Sequence, residues 1–139
     1  MHRSSISKAI HLSAFAASTA LILVSGPSSG EESLKNTPFS YGEDFPDMTV
    51  SCEDVRGWAS KAPNTEVRFN LAARGKLSRV SADGALAYLI MCQEPNPKII
   101  CVTYSTNGMG RGDVVTFAGG FRQLDPEQIV LDPCLASRE

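Results

Sequence analysis

Four cysteines in a chain of 139 residues constrain the fold more than any other feature of this sequence. An even number of cysteines in a small exported chain favours two disulfides, and the lack of a Cys-x-x-Cys spacing argues against a zinc or redox-active site. Cys92 and Cys101 flank a segment with two prolines that is typical of a hairpin tip. We therefore predict a Cys92–Cys101 disulfide across the hairpin and a Cys52–Cys134 disulfide between the two ends of the domain.

The first thirty residues have the layout of a secretory signal peptide. Arg3 and Lys8 give a positive start, residues 12–24 are uncharged and mostly apolar, and small residues occupy positions 25–30. The apolar stretch is shorter than the roughly 20 residues that a membrane-spanning helix needs. We expect residues 1–30 to be removed, which leaves a periplasmic or secreted protein without a transmembrane segment.

Both histidines, His2 and His11, lie in this leader, so the mature chain has none. Without an imidazole it cannot carry a Ser-His-Asp triad, a histidine base or a histidine metal ligand, and we expect no cofactor and no metal site. Beyond residue 30 the chain holds eleven basic and fifteen acidic residues. This negative balance gives no strong signal for nucleic-acid binding, which depends on cations that face phosphates.

The mature chain divides into an acidic arm and a single domain. Residues 31–47 are acidic and contain two prolines, which predicts an extended or disordered arm whose aromatic residues either dock on the domain or stay exposed. The predicted domain spans residues 48–139 and starts with a short helix that is capped by Ser51 and ended by Pro63. The apolar face of this helix is predicted to hold Val55, Trp58, Ala59 and Ala62.

Five strands are then predicted, the first from alternating apolar and polar residues and the next two from strongly apolar runs. The predicted segments are residues 65–77 with a bend at Gly75, 85–92, 99–105, 114–122 with a bend at 119–120, and 128–131.

The hairpin disulfide sets a register between the second and third of these strands. With Cys92 opposite Cys101, the core face is predicted to hold Ala87, Leu89, Met91, Ile100, Val102 and Tyr104. The other face would hold Tyr88, Thr103 and Ser105, which makes Tyr88 the exposed aromatic residue. A slip of one residue would exchange the two faces.

Four segments carry a resemblance to a known family. They are residues 73–77 (ARGKL), 100–102 (ICV), 112–119 (GDVVTFAG) and 129–134 (IVLDPC). Their order resembles the tRNA-anticodon-like OB-fold family of small exported bacterial proteins, over residues 52–136. The resemblance implies a mostly β fold, a five-stranded OB-fold-like barrel preceded by one short α-helix, whose exposed face and loops bind extended ligands. It implies no particular ligand.

Basic residues along the first predicted strand are the main binding candidates, because an outward-facing basic stripe could track an anionic polymer beside a stacking aromatic residue. The full set of candidates is Arg68, Arg74, Lys76, Tyr88, Thr103 and Ser105. The acidic arm could cover this basic face. The simpler interpretation is that the charges only keep the strand soluble and protect a sheet edge.

These observations predict a disulfide-stabilised, non-enzymatic binding module whose partner is an unknown protein or an oligomeric or anionic ligand. One alternative is an accessory subunit of an envelope or toxin complex that docks through the acidic arm. Another is a small hydrolase that uses the carboxylates of Asp125, Glu127 and Asp132. Acids beside Pro126 and Pro133 are, however, typical turn formers.

Overall fold

The computed structural model describes residues 16–21 and 34–139, so most of the predicted leader and the first residues of the arm lie outside the described residues. Residues 34–139 form six strands and one short helix. In chain order these are β1 (Phe39–Tyr41), α1 (Val55–Ala59), β2 (Phe69–Ala82), β3 (Ala87–Met91), β4 (Lys98–Thr103), β5 (Val114–Asp125) and β6 (Gln128–Arg138). In the ranges described, no helix is long and apolar enough to cross a membrane.

Five of the strands close into a barrel. The strands β2, β3, β4, β6 and β5 pair in that order, and β5 pairs back onto β2. All of these pairs are antiparallel except β4–β6, which is parallel. The arrangement confirms the predicted mostly β fold, a five-stranded OB-fold-like barrel preceded by one short helix.

The long strand β2 belongs to both halves of the barrel, since its first half pairs with β5 and its second half with β3. A register shift between Leu77 and Arg79 marks the change of partner. Nearby, a Cβ at Gly75 would lie 3.1 Å from Cys52 Sγ and 3.1 Å from Met91 Sδ. The glycine therefore lets these side chains pack closely against the strand.

Alternating side chains build the core of the barrel. In β2, Leu71, Ala73 and Leu77 are buried, whereas Arg74 and Lys76 are exposed. Each strand thus removes one apolar face from water, which is the main favourable contribution to folding. Other fully buried side chains of the core are Leu89, Met91, Ile99, Val115, Phe117, Ile129 and Leu131.

The acidic arm contributes the sixth strand, β1, which pairs with the start of β2. Phe39 of β1 is 2% exposed, and its ring lies edge-to-face on Trp58, Phe69 and Phe121 at centroid distances of 6.4, 5.6 and 5.9 Å. Such edge-to-face pairs are favourable beyond their buried area. The sequence leaves docking of the arm open, and in the structure Phe39 belongs to the core.

Two disulfides are present, as predicted, but both predicted pairings are wrong. Cys52 is bonded to Cys92, and Cys101 is bonded to Cys134. A Cys92–Cys101 bond does not form because β3 ends at Met91 and Cys92 leaves the ladder with a left-handed φ of 75°. Cys92 therefore bonds to Cys52, in the segment before α1. Because Cys52 is then no longer free, the predicted Cys52–Cys134 bond cannot form, and Cys134 bonds to Cys101.

The hairpin register also differs from the predicted one. Cys101 lies opposite Leu89, three residues away from Cys92. An odd slip exchanges the faces of a strand. In β4, Ile99 and Cys101 are accordingly buried, whereas Tyr104, just beyond the strand, is exposed rather than part of the core.

The helix is shorter than predicted at both ends. Asp54, not Ser51, is the residue before the helix, and its side chain forms no capping hydrogen bond. The Ser51 hydroxyl instead donates to Asp54 Oδ2 at 3.0 Å. The helix ends at Ala59, before it reaches Pro63.

Candidate binding groove

A groove crosses the outer surface of the barrel between the arm and the end of β4. We call it the outer groove, and its volume is about 560 Å³. Ala118 of β5 lies on its floor and faces outward, since its neighbour Phe117 points into the core. The arm segment 42–46 forms one wall, and Tyr104 and Leu135 line the opposite side.

The wall formed by the arm is held in place by β2. Asn70 Nδ2 donates a hydrogen bond to Gly42 O at 2.8 Å. Gly42 has a φ of +62°, a conformation that glycine adopts without steric cost. The turn at Gly42 brings Glu43, Asp44 and Phe45 to the groove. The acidic segment is therefore a structural part of the candidate site.

Gly119 lines the groove, and both Gly119 and Gly120 lie where the register between β5 and β6 shifts. A Cβ at Gly119 would lie 2.4 Å from Pro133 O, and one at Gly120 would lie 2.7 Å from Asp132 O. Both distances are shorter than real Cβ contacts, and the atoms met are backbone atoms. Only glycine therefore allows the two strands to approach this closely.

Three large apolar side chains stand exposed around the groove. Tyr104 is 83% exposed, Phe45 69% and Leu135 65%. Single exposed apolar residues are common on protein surfaces, but a group of them around a concave surface is typical of an interaction site. The outer groove therefore has the composition of a binding surface.

The charges of the groove come from both of its sides. Arg68 Nη2 donates a long hydrogen bond of 3.4 Å to Asp132 O, and it forms no ion pair with a carboxylate of residues 16–21 or 34–139. Glu43 and Asp44 line the groove from the arm. Across the part of the chain that the structure describes, neither carboxylate forms an ion pair. The lining thus combines apolar surface with one cation and two carboxylates.

The structure divides the six predicted site residues among different places. Arg68 and Thr103 line the outer groove. The predicted register places Thr103 on the same face as Tyr88. In the structure Thr103 lies opposite Ala87, on the other face of this strand pair. Ser105 Oγ accepts a hydrogen bond from the Asn107 N–H at 3.1 Å and shapes the turn after β4.

Arg74 and Lys76 line a second cavity of about 510 Å³, which we call the basic cavity. The Cys52–Cys92 disulfide and Arg111, from the loop before β5, also line it, together with two glutamates. Arg74 Nε donates to Glu139 Oε1 at 2.6 Å, and this hydrogen bond lowers the pKa of the Glu139 carboxyl. The predicted basic stripe is thus partly neutralised by the chain itself.

Tyr88 is engaged in the turn between β2 and β3. Its hydroxyl donates to Asp83 Oδ2 at 3.0 Å, while Asp83 Oδ1 accepts from the N–H groups of Leu86 and Ala85. The backbone hydrogen bonds from Leu86 and Ala85 hold the pKa of Asp83 below its usual range. The hydrogen bond to the Asp83 carboxylate raises the pKa of Tyr88. Tyr88 does not line the outer groove.

Two of the carboxylates considered for a hydrolase are held in a turn. Glu127 accepts hydrogen bonds from Arg56 Nη1 and Nη2 at 2.9 and 3.0 Å, and these bonds lower the pKa of Glu127. Asp125 Oδ1 accepts from the Glu127 N–H at 2.7 Å. A carboxylate kept ionised in this way is a poor general acid. Within residues 16–21 and 34–139, no group of three His, Cys, Asp or Glu side chains is placed to hold a metal ion.

Sequence reasoning missed Phe45, Tyr104 and Leu135 as binding candidates. The predicted register assigns Tyr104 to the core, and the predicted last strand ends at residue 131, before Leu135. The residues after Pro133 (CLASRE) do not alternate between apolar and polar, so the sequence has no periodic signal for a strand that continues to Arg138. No protein-family model matches the chain, and no curated protein is significantly similar to it.

Proposed function

We propose that this protein is an exported, non-enzymatic binding module that receives an extended segment of a partner protein in the outer groove. The observation that carries the proposal is the group of exposed apolar side chains, Phe45, Tyr104 and Leu135, around a floor of small residues. A partner that covers these side chains removes apolar surface from water. Aromatic residues such as Tyr104 are enriched at the centres of protein interfaces.

The charges of the groove favour a polypeptide over a polyanion. Glu43 and Asp44 would repel phosphate or sulfate groups, and they outnumber Arg68 among the lining residues. A segment with apolar side chains and one basic residue complements this lining, since its cation would face the arm carboxylates. An accessory subunit of a larger complex would use the same groove, because the acidic arm forms one of its walls.

The disulfides and the predicted leader support a place of action outside the cytoplasm. Two disulfides are typical of proteins in oxidising compartments. Together with the signal peptide predicted for residues 1–30, they support a periplasmic or secreted protein. Membership of the tRNA-anticodon-like OB-fold family is supported by the barrel topology and by the four segments quoted above, and it stays a proposal.

The proposal is tested by selecting peptides from a phage-displayed library of random short peptides on the oxidised protein. The enriched peptides are then titrated against the Tyr104→Ser/Leu135→Ser variant. Leu124→Ser serves as the control, because Leu124 is also exposed but does not line the groove. We expect the double substitution to weaken binding by about tenfold or more, and the control to bind like the original protein.

Two results would overturn the proposal. One is the absence of any enriched peptide. The other is a set of peptides that bind the Tyr104→Ser/Leu135→Ser variant as tightly as the original chain. Circular dichroism of each variant checks that the barrel is intact, which we expect because both side chains are exposed.

An anionic ligand in the basic cavity is a second candidate function. Arg111 joins Arg74 and Lys76 there, and the sequence did not indicate this convergence. The Arg74→Ala/Lys76→Ala variant should then bind dextran sulfate more weakly at low salt than an Arg79→Ala control on the same strand. Equal binding by the two variants would remove this candidate.

A further inference from the structure

The two strands beside the outer groove separate at the point where the groove begins. β4 and β6 are paired from Lys98 and Gln128 as far as Cys101 and Leu131. Beyond that point β6 continues along β5 alone, from Cys134 to Arg138. One edge of the second half of β6 therefore has no neighbouring strand among the described residues.

The backbone groups on this edge can be identified from the ladder between β5 and β6. The Glu139 N–H donates to Val114 O, which continues the antiparallel register past Arg138. Bonding positions alternate in such a ladder, so the N–H and C=O groups of Cys134, Ala136 and Arg138 point away from β5. In the described part of the chain, no backbone hydrogen bond outside the β5 ladder involves residues 134–138.

This open edge adjoins the apolar lining of the groove. Leu135 lies on the edge strand, and Thr103 and Tyr104 lie across the gap that β4 leaves. At the far end Arg138 Nη2 donates to Asn107 O at 3.2 Å, so the side chain of Arg138 contacts the loop after β4 while the residue stays exposed. Cys134 is only 4% exposed, so the accessible stretch consists of Ala136 and Arg138, which follow the exposed Leu135 on the same strand. Soluble proteins usually block such edges, because they act as templates for another strand.

We propose that the partner segment binds by β-strand addition to the open edge of β6, with its backbone paired to Ala136 and Arg138. Main-chain hydrogen bonds supply affinity in this mode of recognition, and alternate side chains supply specificity. Apolar side chains of the segment contact Tyr104 and Leu135, and a basic side chain faces Glu43 and Asp44 across the groove. This inference rests on the proposed function, because it names how the same groove is occupied.

The test uses the tightest peptide from the library selection and a series of its variants, each with one N-methylated amide. N-methylation removes a hydrogen-bond donor but leaves the side chain in place. In strand addition every second amide points at the edge. We therefore expect a loss of about tenfold or more at every second position over three or more residues, with weaker effects between them.

A second measurement follows the protein rather than the peptide. Hydrogen exchange of the Ala136 amide should slow by about tenfold or more when the peptide saturates the protein. The Ser137 amide is the control, because the ladder already directs it to β5. N-methylation effects without alternation, or unchanged exchange at Ala136, would overturn strand addition. If the peptide still depends on Leu135 in that case, the groove function stands and only its mode of binding is wrong.

Discussion

Gly119 shows how one residue type can fix the distance between two strands. A Cβ there would lie 2.4 Å from Pro133 O, a backbone atom that moves only with the strand. We expect Gly119→Ala to lower the free energy of unfolding by about 1–3 kcal/mol, as overpacking usually does. Urea denaturation measures the change. Gly57→Ala is the control, since nothing lies within 4 Å of a Cβ at that position in α1; an equal loss in both variants would contradict the explanation.

The Arg56–Glu127 pair makes stability depend on pH at the level of a single residue. Hydrogen bonds from Arg56 lower the pKa of Glu127 in the folded state. The pair therefore contributes stability above the ordinary glutamate pKa of about 4.3, and this contribution is lost as the pH falls through the lower folded-state value.

Glu127→Gln should accordingly lose less stability on acidification than the original chain. The effect is expected to be small, because both side chains are exposed. Denaturation midpoints measured between neutral pH and pH of about 3 test this. Glu66→Gln, at an exposed position before β2, is the control, and equal acid sensitivity of Glu127→Gln and the original protein would contradict the prediction.

At the scale of elements, the Cys101–Cys134 disulfide joins β4 to β6 just where their ladder ends. The two disulfides close loops with sequence separations of 40 and 33 residues. Chain entropy gives each a contribution of about 4 kcal/mol. We expect Cys101→Ala/Cys134→Ala and Cys52→Ala/Cys92→Ala to lower the free energy of unfolding by about 2–4 kcal/mol each. A loss below about 1 kcal/mol for either variant would show that the disulfide constrains little.

The attachment of β1 depends on one aromatic side chain. Phe39 is buried among Trp58, Phe69 and Phe121, so Phe39→Ala should lower the free energy of unfolding by about 3–5 kcal/mol. Phe45→Ala is a matched control in the same arm, because Phe45 is exposed, and we expect less than about 0.5 kcal/mol from it. Chemical denaturation of the two variants separates them. Similar losses would mean that burial of Phe39 does not attach β1.

At the scale of the whole molecule, the arm and the barrel share one core, so they should unfold together. Trp58 is the single tryptophan of the sequence, and its ring centroid lies 6.4 Å from that of Phe39 in β1. The fluorescence of Trp58 therefore reports on the docking of β1. Far-ultraviolet circular dichroism reports on the barrel. We expect the two thermal transitions to coincide, as in a two-state domain. A fluorescence change at lower temperature would mean that the arm detaches before the barrel melts.

The sequence predicted the barrel through the resemblance of four segments to a known family, and it predicted the number of disulfides. Alternation and apolar runs are local properties, and they marked the five barrel strands and the inward face of β3. The predicted first and last strands nevertheless ended at residues 77 and 131, short of the observed ends at Ala82 and Arg138. The glycines at 119–120 predicted the bend that the register shift in β5 contains. An even set of cysteines predicted two disulfides, which form.

Only the tertiary structure decided the pairings and the site. Alternation identifies the faces of a strand but not its partner or register, so the three-residue slip between β3 and β4 had no local signature. The left-handed φ of Cys92 then redirected both disulfides. The groove brings Phe45, Tyr104 and Leu135 together from three distant segments. Their proximity is a consequence of barrel closure, which depends on pairings between strands far apart in sequence.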